Sequence, residues 1–161
     1  MVKQSLSAEV LKALAGKRLA TAESLTGGGI GQALTSVSGA SAVFAGGIIS
    51  YTNEVKHSVL GVPAQMLDTW GAVSAPVAQA MAQGARGVIG ADVAIAVTGL
   101  AGPDADEYGN PVGTVFIGYA DAHRAFAREY HFAGDRAQVR EQTICAALTL
   151  LLKAGRGEYE I

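Results

Sequence analysis

The chain has 161 residues, of which 50% are hydrophobic and 16% charged, so it is expected to form one folded domain over residues 1–161. Its formal net charge is −2 and its 12 Lys and Arg are scattered, which excludes the basic stripe of a nucleic-acid or anionic-membrane binder. The N-terminal segment lacks a signal-peptide core, no run reaches transmembrane length, and the single cysteine excludes an internal disulfide and a thiolate metal cluster, so a cytoplasmic protein is predicted.

Apolar periodicity predicts helices alternating with strands, followed by two strands in succession. This order indicates an α/β fold, a three-layer α/β/α domain with a mixed, mostly parallel sheet. The low charged fraction also predicts that part of the surface is covered in a homo-oligomer. In the first half of the chain, the expected elements are a helix at 4–15, a strand at 18–22, a helix at 30–37 and a strand at 44–52 with a bulge or close approach at Gly46 and Gly47. A short helix capped by Asn53 and a connecting region to 71 are expected next, followed by a helix from 75 that buries Val77, Met81, Ala85 and Val88. The remaining elements are strands at 93–97, 114–120 and 126–132, and a helix after a capping box at Asp135 and Gln138.

A glycine-rich stretch, TAESLTGGGIG, lies between the first strand and the second helix, at residues 21–31. It does not match the dinucleotide pattern GxGxxG, because Leu34 stands where the third glycine is needed. It is not a Walker A loop, because no Gly-Lys-Ser/Thr follows. Two interpretations stay open: a tight turn with close helix packing, or a helix N-terminus whose free N–H groups bind an anion or oxyanion.

Ser24 precedes these glycines and needs a base to become a nucleophile. None of the three histidines, at 57, 123 and 131, comes with a clear orienting carboxylate, so a Ser-His-Asp triad has little support. Lys56 is the better candidate base if burial lowers its pKa, and Tyr51 lies five residues before it. A solvated surface lysine is the alternative at this position.

A second loop rich in turn-forming residues follows the most buried strand and contains Thr98, Gly99 and Gly102. Ligands of α/β sheets bind at the carboxyl ends of strands, so both loops are expected to line one cleft. Arg140 lies one turn before Ile144 on the same side of the last helix, toward the core. An arginine there is expected to need an anionic partner, either a substrate phosphate or a carboxylate of the protein. The acidic residues of this second loop favour a solvated turn over a metal site.

Five motifs occur in this order along the chain: AESLTGGGIG at 22–31, the run at 38–62, GAVS at 71–74, VTGLAGPD at 97–104 and PVGTVFIGY at 111–119. Taken together, they resemble the CinA C-terminal domain family over residues 5–155. Its enzymatic members are nicotinamide-nucleotide amidases, which convert nicotinamide mononucleotide to nicotinate mononucleotide and ammonia. The resemblance implies a compact α/β/α domain, commonly oligomeric, that works without a metal or organic cofactor on a small mononucleotide.

The resemblance also implies roles for individual residues. Ser24 stands where the family has its nucleophile, Tyr51 and Lys56 where it has the activating partners, and Arg140 where it has a substrate-binding arginine. The family's additional N-terminal domain has no counterpart in the sequence, which therefore resembles the stand-alone amidase. The remaining residues expected to bind substrate are Thr26, Gly27, Gly28, Gly29, Thr98, Gly99 and Gly102.

The resulting hypothesis is that Lys56, assisted by Tyr51, deprotonates Ser24, and that N–H groups around 26–29 stabilise the oxyanion. Two rival functions stay open. One is a nucleotide-binding module without catalysis. The other is an α/β-hydrolase-like esterase, which requires a Gly-x-Ser-x-Gly elbow, and Ser24 lacks such flanking glycines.

Overall fold

The computed structural model describes residues 2–159, which form a five-stranded sheet with helices on both sides. Within this range no helix is long and apolar enough to cross a membrane. The helices are α1 (Val2–Ala13), α2 (Gly29–Thr35), α3 (Asn53–Ser58), α4 (Ala64–Trp70), α5 (Ala75–Ile89) and α6 (Arg136–Gly155), and the strands are β1 (Leu19–Glu23), β2 (Phe44–Ile49), β3 (Val93–Gly99), β4 (Thr114–Ala120) and β5 (Ala125–His131).

The strands lie in the order β2-β1-β3-β4-β5. Strand β1 pairs in parallel with β2 and β3, whereas β4 is antiparallel to both of its neighbours. The parallel part therefore brings the carboxyl ends of three adjacent strands to one edge of the sheet. This architecture confirms the predicted α/β/α layers and the mixed sheet.

Strands β1 and β3 alternate large and small side chains, and this alternation builds the two layers. Their larger residues, such as Leu19 and Ile95, belong to the core that includes residues of α1, α2 and α6. Their alanines, such as Ala20 and Ala94, face α4 and α5. Both faces are covered, which explains why the predicted strand at 93–97 reads as a continuous apolar run.

Strand β2 carries the irregularity that its glycines predict. Its register with β1 shifts between Leu19 and Ala20, which pair with Phe44 and Gly46. A Cβ at Gly47 would collide with the hydroxyl of Thr21 on the neighbouring strand. The bulge and the close approach are both confirmed.

Three local predictions are wrong. The connecting region contains α4, which sequence periodicity missed because Leu67 is its single buried residue. The cap of α3 is Thr52, whose hydroxyl accepts from the Val55 N–H at 3.3 Å, and Asn53 is already helical. Val88 is 57% exposed, because the fully buried stripe of α5 ends at Ala85 and in the last turn Ile89, not Val88, packs against the core.

Candidate active site

Ser24 and Lys56 meet in a cavity of about 380 Å³ at the carboxyl edge of the parallel strands. Ser24 directly follows β1, and its N–H donates to the Val97 carbonyl of β3 at 3.1 Å. Thr98 lies near the end of β3, and Tyr51 follows the end of β2. The other residues that line the cavity are Leu25, Asn53, Ala72, Val73, Gly99, Leu100, Ala101, Gly102, Pro103, Asp104 and Arg136.

Lys56 points inward from α3 and is only 1% exposed. Its Nζ lies 3.1 Å from Ser24 Oγ, 2.9 Å from the Ser50 carbonyl oxygen and 3.2 Å from that of Tyr51. No carboxylate of the described residues pairs with it. Burial lowers the pKa of the Lys56 ammonium from 10.5 to about 8.

This arrangement suits a neutral amine. An uncharged Lys56 has two N–H bonds, one for each carbonyl, and a lone pair left for the hydroxyl of Ser24. The two carbonyls therefore orient the amine, and burial makes its neutral form accessible near pH 8. A hydroxyl held against such an amine has the geometry of an activated nucleophile.

Tyr51 contacts this pair through its main chain. Its ring is 60% exposed, and its hydroxyl lies 3.3 Å from Nη2 of Arg136. Among the described residues, that hydroxyl makes no hydrogen bond to Ser24 or Lys56. The side chain therefore lies at the rim of the cavity, while the Tyr51 carbonyl helps to orient Lys56.

The second predicted loop forms the opposite wall of the cavity. Thr98 is 1% exposed, and its hydroxyl donates inward to the Ala72 carbonyl at 2.9 Å. At Gly99 a Cβ would lie 2.7 Å from a methyl group of Val115, so the glycine allows close packing on β4. The Gly102 carbonyl accepts from Arg136 at 2.7 Å. Thr98, Gly99 and Gly102 thus lie in the same cavity as Ser24.

The glycine-rich loop faces a different cavity. Thr26, Gly27, Gly28 and Gly29 line it together with Arg140. Gly27 and Gly28 have φ of +58° and +103°, which favours glycine. A Cβ at Gly29 would lie 2.5 Å from the Cδ1 methyl of Ile144 on α6. These glycines therefore meet the needs of a tight turn and of close helix packing.

The N-terminus of α2 is already occupied by a carboxylate of the protein. Glu23 is 2% exposed and accepts from the N–H groups of Ile30 at 2.9 Å and Gly31 at 3.0 Å, and also from the Thr26 hydroxyl. The expectation that this helix start is free for a ligand anion is wrong for those two groups. Sequence reasoning missed Glu23, because it lies six residues before the first residue of α2, outside the positions where an acid signals a helix cap.

Two arginines of α6 approach the site from different sides. Arg136 lines the Ser24 cavity and links the Gly102 carbonyl to the Tyr51 hydroxyl. Arg140 lies outside that cavity, and its guanidinium donates to the Leu25 carbonyl at 2.9 Å and to the Thr26 carbonyl at 3.4 Å. Sequence reasoning missed Arg136, although its spacing of four residues from Arg140 predicts one shared helix face.

The remaining candidate groups lie elsewhere. Within residues 2–159 no histidine lines the Ser24 cavity, and His57 instead contacts the Val62 carbonyl. Asp106 accepts from the N–H groups of Tyr108 and Asn110 within its own turn. No cluster of three His, Cys, Asp or Glu suited to a metal occurs in this part of the chain.

Comparison with known proteins adds an independent finding. The family model described as the CinA C-terminal domain matches residues 3–154. The "Nicotinamide-nucleotide amidohydrolase PncC" of Pseudomonas putida is 47% identical over 138 residues, which cover 86% of this chain and 86% of that protein. A "CinA-like protein" of Geobacter sulfurreducens is 50% identical over 136 residues, or 84% of this chain. The chain spans about a third of the length of that longer relative.

Solved structures agree with the fold. The competence damage-inducible protein A (ComA) of Klebsiella pneumoniae superimposes with a TM-score of 0.94 at 36% identity, over 98% of this chain and 99% of that chain. The competence/damage inducible protein CihA of Agrobacterium tumefaciens gives a TM-score of 0.90, also at 36% identity, over 96% of this chain and 95% of that chain. The three-layer architecture is therefore common to these proteins.

Proposed function

The chain belongs to the CinA C-terminal domain family, and we propose that it is a nicotinamide-nucleotide amidohydrolase that converts nicotinamide mononucleotide and water to nicotinate mononucleotide and ammonia. The observation that carries the proposal is the buried contact between Lys56 Nζ and Ser24 Oγ, at 3.1 Å, in a cavity at the carboxyl edge of the sheet. The similarity to the Pseudomonas putida enzyme over most of both chains supports this substrate.

In the proposed reaction, neutral Lys56 takes the proton of Ser24 while Oγ bonds to the carboxamide carbon. The tetrahedral intermediate collapses when the C–N bond breaks and the ammonium of Lys56 gives its proton to the departing nitrogen, which leaves as ammonia. Water then attacks the Ser24 ester while Lys56 takes a proton from it. The bond from the acyl carbon to Oγ breaks, Lys56 returns the proton to Ser24, and the carboxylate is released. The proposal retains Tyr51 as a partner of Lys56, and its carbonyl contact with Nζ supports an orienting role.

The oxyanion needs donors close to Ser24. The N–H groups of Gly27 and Gly29 are occupied by the Ser24 and Thr26 carbonyls, at 3.1 and 3.0 Å. Among the described residues, the N–H groups of Leu25 and Thr26 make no hydrogen bond within the chain. We assign the oxyanion to these groups, because preorganised backbone donors beside the nucleophile cost no reorganisation during the reaction.

The rest of the substrate is proposed to lie against the second loop. Thr98, Gly99 and Gly102 form a wall of the Ser24 cavity, and Arg136 holds the Gly102 carbonyl at its rim. A guanidinium at that position is suited to an anionic phosphate. We also propose that residues 1–161 act as one amidase domain, in the cytoplasm and as a homo-oligomer.

Incubation with nicotinamide mononucleotide tests the proposal. Ammonia and nicotinate mononucleotide are expected in equal amounts, without added metal or cofactor. The rival function is a nucleotide-binding module, and it predicts a higher melting temperature with the nucleotide but no ammonia. That second result would contradict the proposed amidohydrolase.

A further inference from the structure

Arg140 holds the loop that carries the nucleophile. Its Nε donates to the Leu25 carbonyl at 2.9 Å, and its Nη2 to the Thr26 carbonyl at 3.4 Å. Nη2 also lies 3.7 Å from the position of a Cβ on Gly27, so the guanidinium lies against the turn. A charged donor on two successive carbonyls fixes two peptide planes at once.

The guanidinium of Arg140 makes no other polar contact among the described residues. No carboxylate in the described part of the chain forms an ion pair with it, whereas the neighbouring Glu141 pairs with Lys3 at 2.6 Å. Arg140 also lies outside the residues that line the Ser24 cavity. Its only hydrogen bonds in residues 2–159 are those to the loop carbonyls.

Because peptide groups are planar, fixing the Leu25 and Thr26 carbonyls also fixes the N–H groups of the same peptides beside Ser24. Both peptides are trans, so each N–H points away from the carbonyl of the same plane. The Thr26–Gly27 peptide turns its carbonyl to Arg140 and its N–H to the Ser24 carbonyl, at 3.1 Å. The Leu25–Thr26 peptide turns its carbonyl to Arg140, and its N–H, which makes no hydrogen bond within the described chain, points the opposite way.

Glu23 holds the same loop through its other groups. Its buried carboxylate accepts from the Thr26 hydroxyl and from two N–H groups of α2. The loop is thus fixed in two ways: the Glu23 carboxylate accepts from its donor groups, and the Arg140 guanidinium donates to its carbonyls. Ser24 lies between these two attachments, and its N–H is fixed to Val97.

We propose that Arg140 is a positioning residue, which orients the peptides at 25–27 so that Ser24 faces Lys56 and the N–H of Thr26 faces the oxyanion. The proposal rests on the proposed function for its substrate, but its chemical test does not need that substrate. It differs from a role in holding the substrate phosphate, which remains a separate prediction from the sequence.

The direct test is labelling of Ser24 by a small alkyl fluorophosphonate, a reagent without any nucleotide part. Ser24 Oγ bonds to phosphorus, fluoride leaves, and the hydroxyl proton passes to Lys56. Replacement Arg140→Ala is expected to slow labelling about 10- to 100-fold, since a misplacement of about 1 Å at a reacting centre has effects of this size. Arg18→Ala is the matched control, because Arg18 also donates to a backbone carbonyl, that of Ser41, far from the cavity.

Kinetics with nicotinamide mononucleotide separate positioning from binding. Arg140→Ala is expected to lower kcat about as much as it slows labelling and to leave KM within about threefold. A raised KM with unchanged kcat and unchanged labelling would overturn the proposal and favour phosphate binding. Labelling at the wild-type rate overturns it whatever the substrate is.

One further variant and two results with the wild-type protein complete the test. Arg140→Lys retains a cation but lacks the planar fork that places separate N–H donors on the two carbonyls. Its labelling rate should therefore lie between those of the wild type and Arg140→Ala, and it carries the test if the alanine variant does not fold. Wild-type protein that labels at Ser24 but releases no ammonia contradicts the proposed function alone. Wild-type protein that does not label at Ser24 contradicts both proposals.

Discussion

At the scale of single residues, the site depends on one buried amine that has no carboxylate partner within residues 2–159. Lys56 is held by the Ser50 and Tyr51 carbonyls and by the Ser24 hydroxyl. Carbonyls orient an amine without stabilising its charge as strongly as a carboxylate would. Burial therefore lowers the pKa of Lys56 to about 8, which leaves about a tenth of it neutral at pH 7.

The first prediction concerns the pH dependence of the reaction. Because neutral Lys56 is the proposed base, kcat should rise about fivefold from pH 7 to pH 8 and about twofold more above pH 8, following the neutral fraction of an amine with a pKa of about 8. Measurements from pH 7 upward keep about nine-tenths or more of the substrate phosphate doubly ionised. Lys56→Met should abolish the rate, and the surface variant Lys12→Met should retain the wild-type profile. A flat profile between pH 7 and 9.5 would rule Lys56 out as the base.

The second prediction concerns stability. The pKa of Lys56 is about 8 in the folded protein and 10.5 as a model group, so the unfolded chain binds more protons between these values. The free energy of unfolding should therefore increase with pH in that window, by about 2 kcal/mol from pH 7.5 to 9.5 relative to Lys56→Met. Urea unfolding of both proteins measures the difference. Parallel curves for the two proteins would mean that the lysine is not destabilised by burial.

At the scale of elements, the start of α2 packs unusually closely on α6. Gly29 begins α2 and faces Ile144, one turn after Arg140. One face of α6 thus both packs against the loop and holds its carbonyls. The glycines of the sequence motif are explained by this contact and by the positive φ of Gly27 and Gly28.

The third prediction tests that contact. Gly29→Ala should destabilise the protein by about 1–3 kcal/mol, because its Cβ would meet the Cδ1 methyl of Ile144 at 2.5 Å. In an Ile144→Val background, which lacks that methyl, the same change should cost clearly less, since the nearest remaining atom of the side chain, Cγ1, lies 3.3 Å from the added Cβ. Thermal unfolding measures both.

Gly87→Ala is the control for this cycle. Gly87 lies inside α5, and a Cβ there would meet nothing within 4 Å. It should show the helix-propensity gain alone. If Gly29→Ala cost the same with Ile144 and with Val at that position, close packing would not be the reason for the glycine.

At the scale of the whole molecule, the sequence predicted the layers and most elements because each strand alternates or is wholly apolar. It also predicted that the Ser24 loop and the Thr98 loop meet, since both follow parallel strands. Helix α4 escaped prediction because one buried residue gives no periodicity. The role of Glu23 escaped it because a carboxylate that binds its own chain looks the same in sequence as a solvated one.

Some expectations about the whole molecule stay predictions. The homo-oligomer predicted from the low charged fraction is consistent with exposed apolar side chains such as Ile49 and Trp70, which are 58% and 57% exposed. Sedimentation velocity at micromolar concentration tests it, and a monomer would contradict it. The assignment of the substrate phosphate to Arg136 and of loop positioning to Arg140 is likewise a prediction. Replacement of Arg136 should mainly raise KM, whereas replacement of Arg140 should mainly lower kcat.

The central claim is that Ser24 is the nucleophile, and the most direct test compares two buried serines. Ser24→Ala should lower ammonia release from nicotinamide mononucleotide by at least about 10³-fold while the nucleotide still raises the melting temperature. Ser7→Ala, an equally buried serine on α1 whose hydroxyl has no hydrogen-bond partner among the described residues, should release ammonia at the wild-type rate. Ammonia release by folded Ser24→Ala near the wild-type rate would contradict the account.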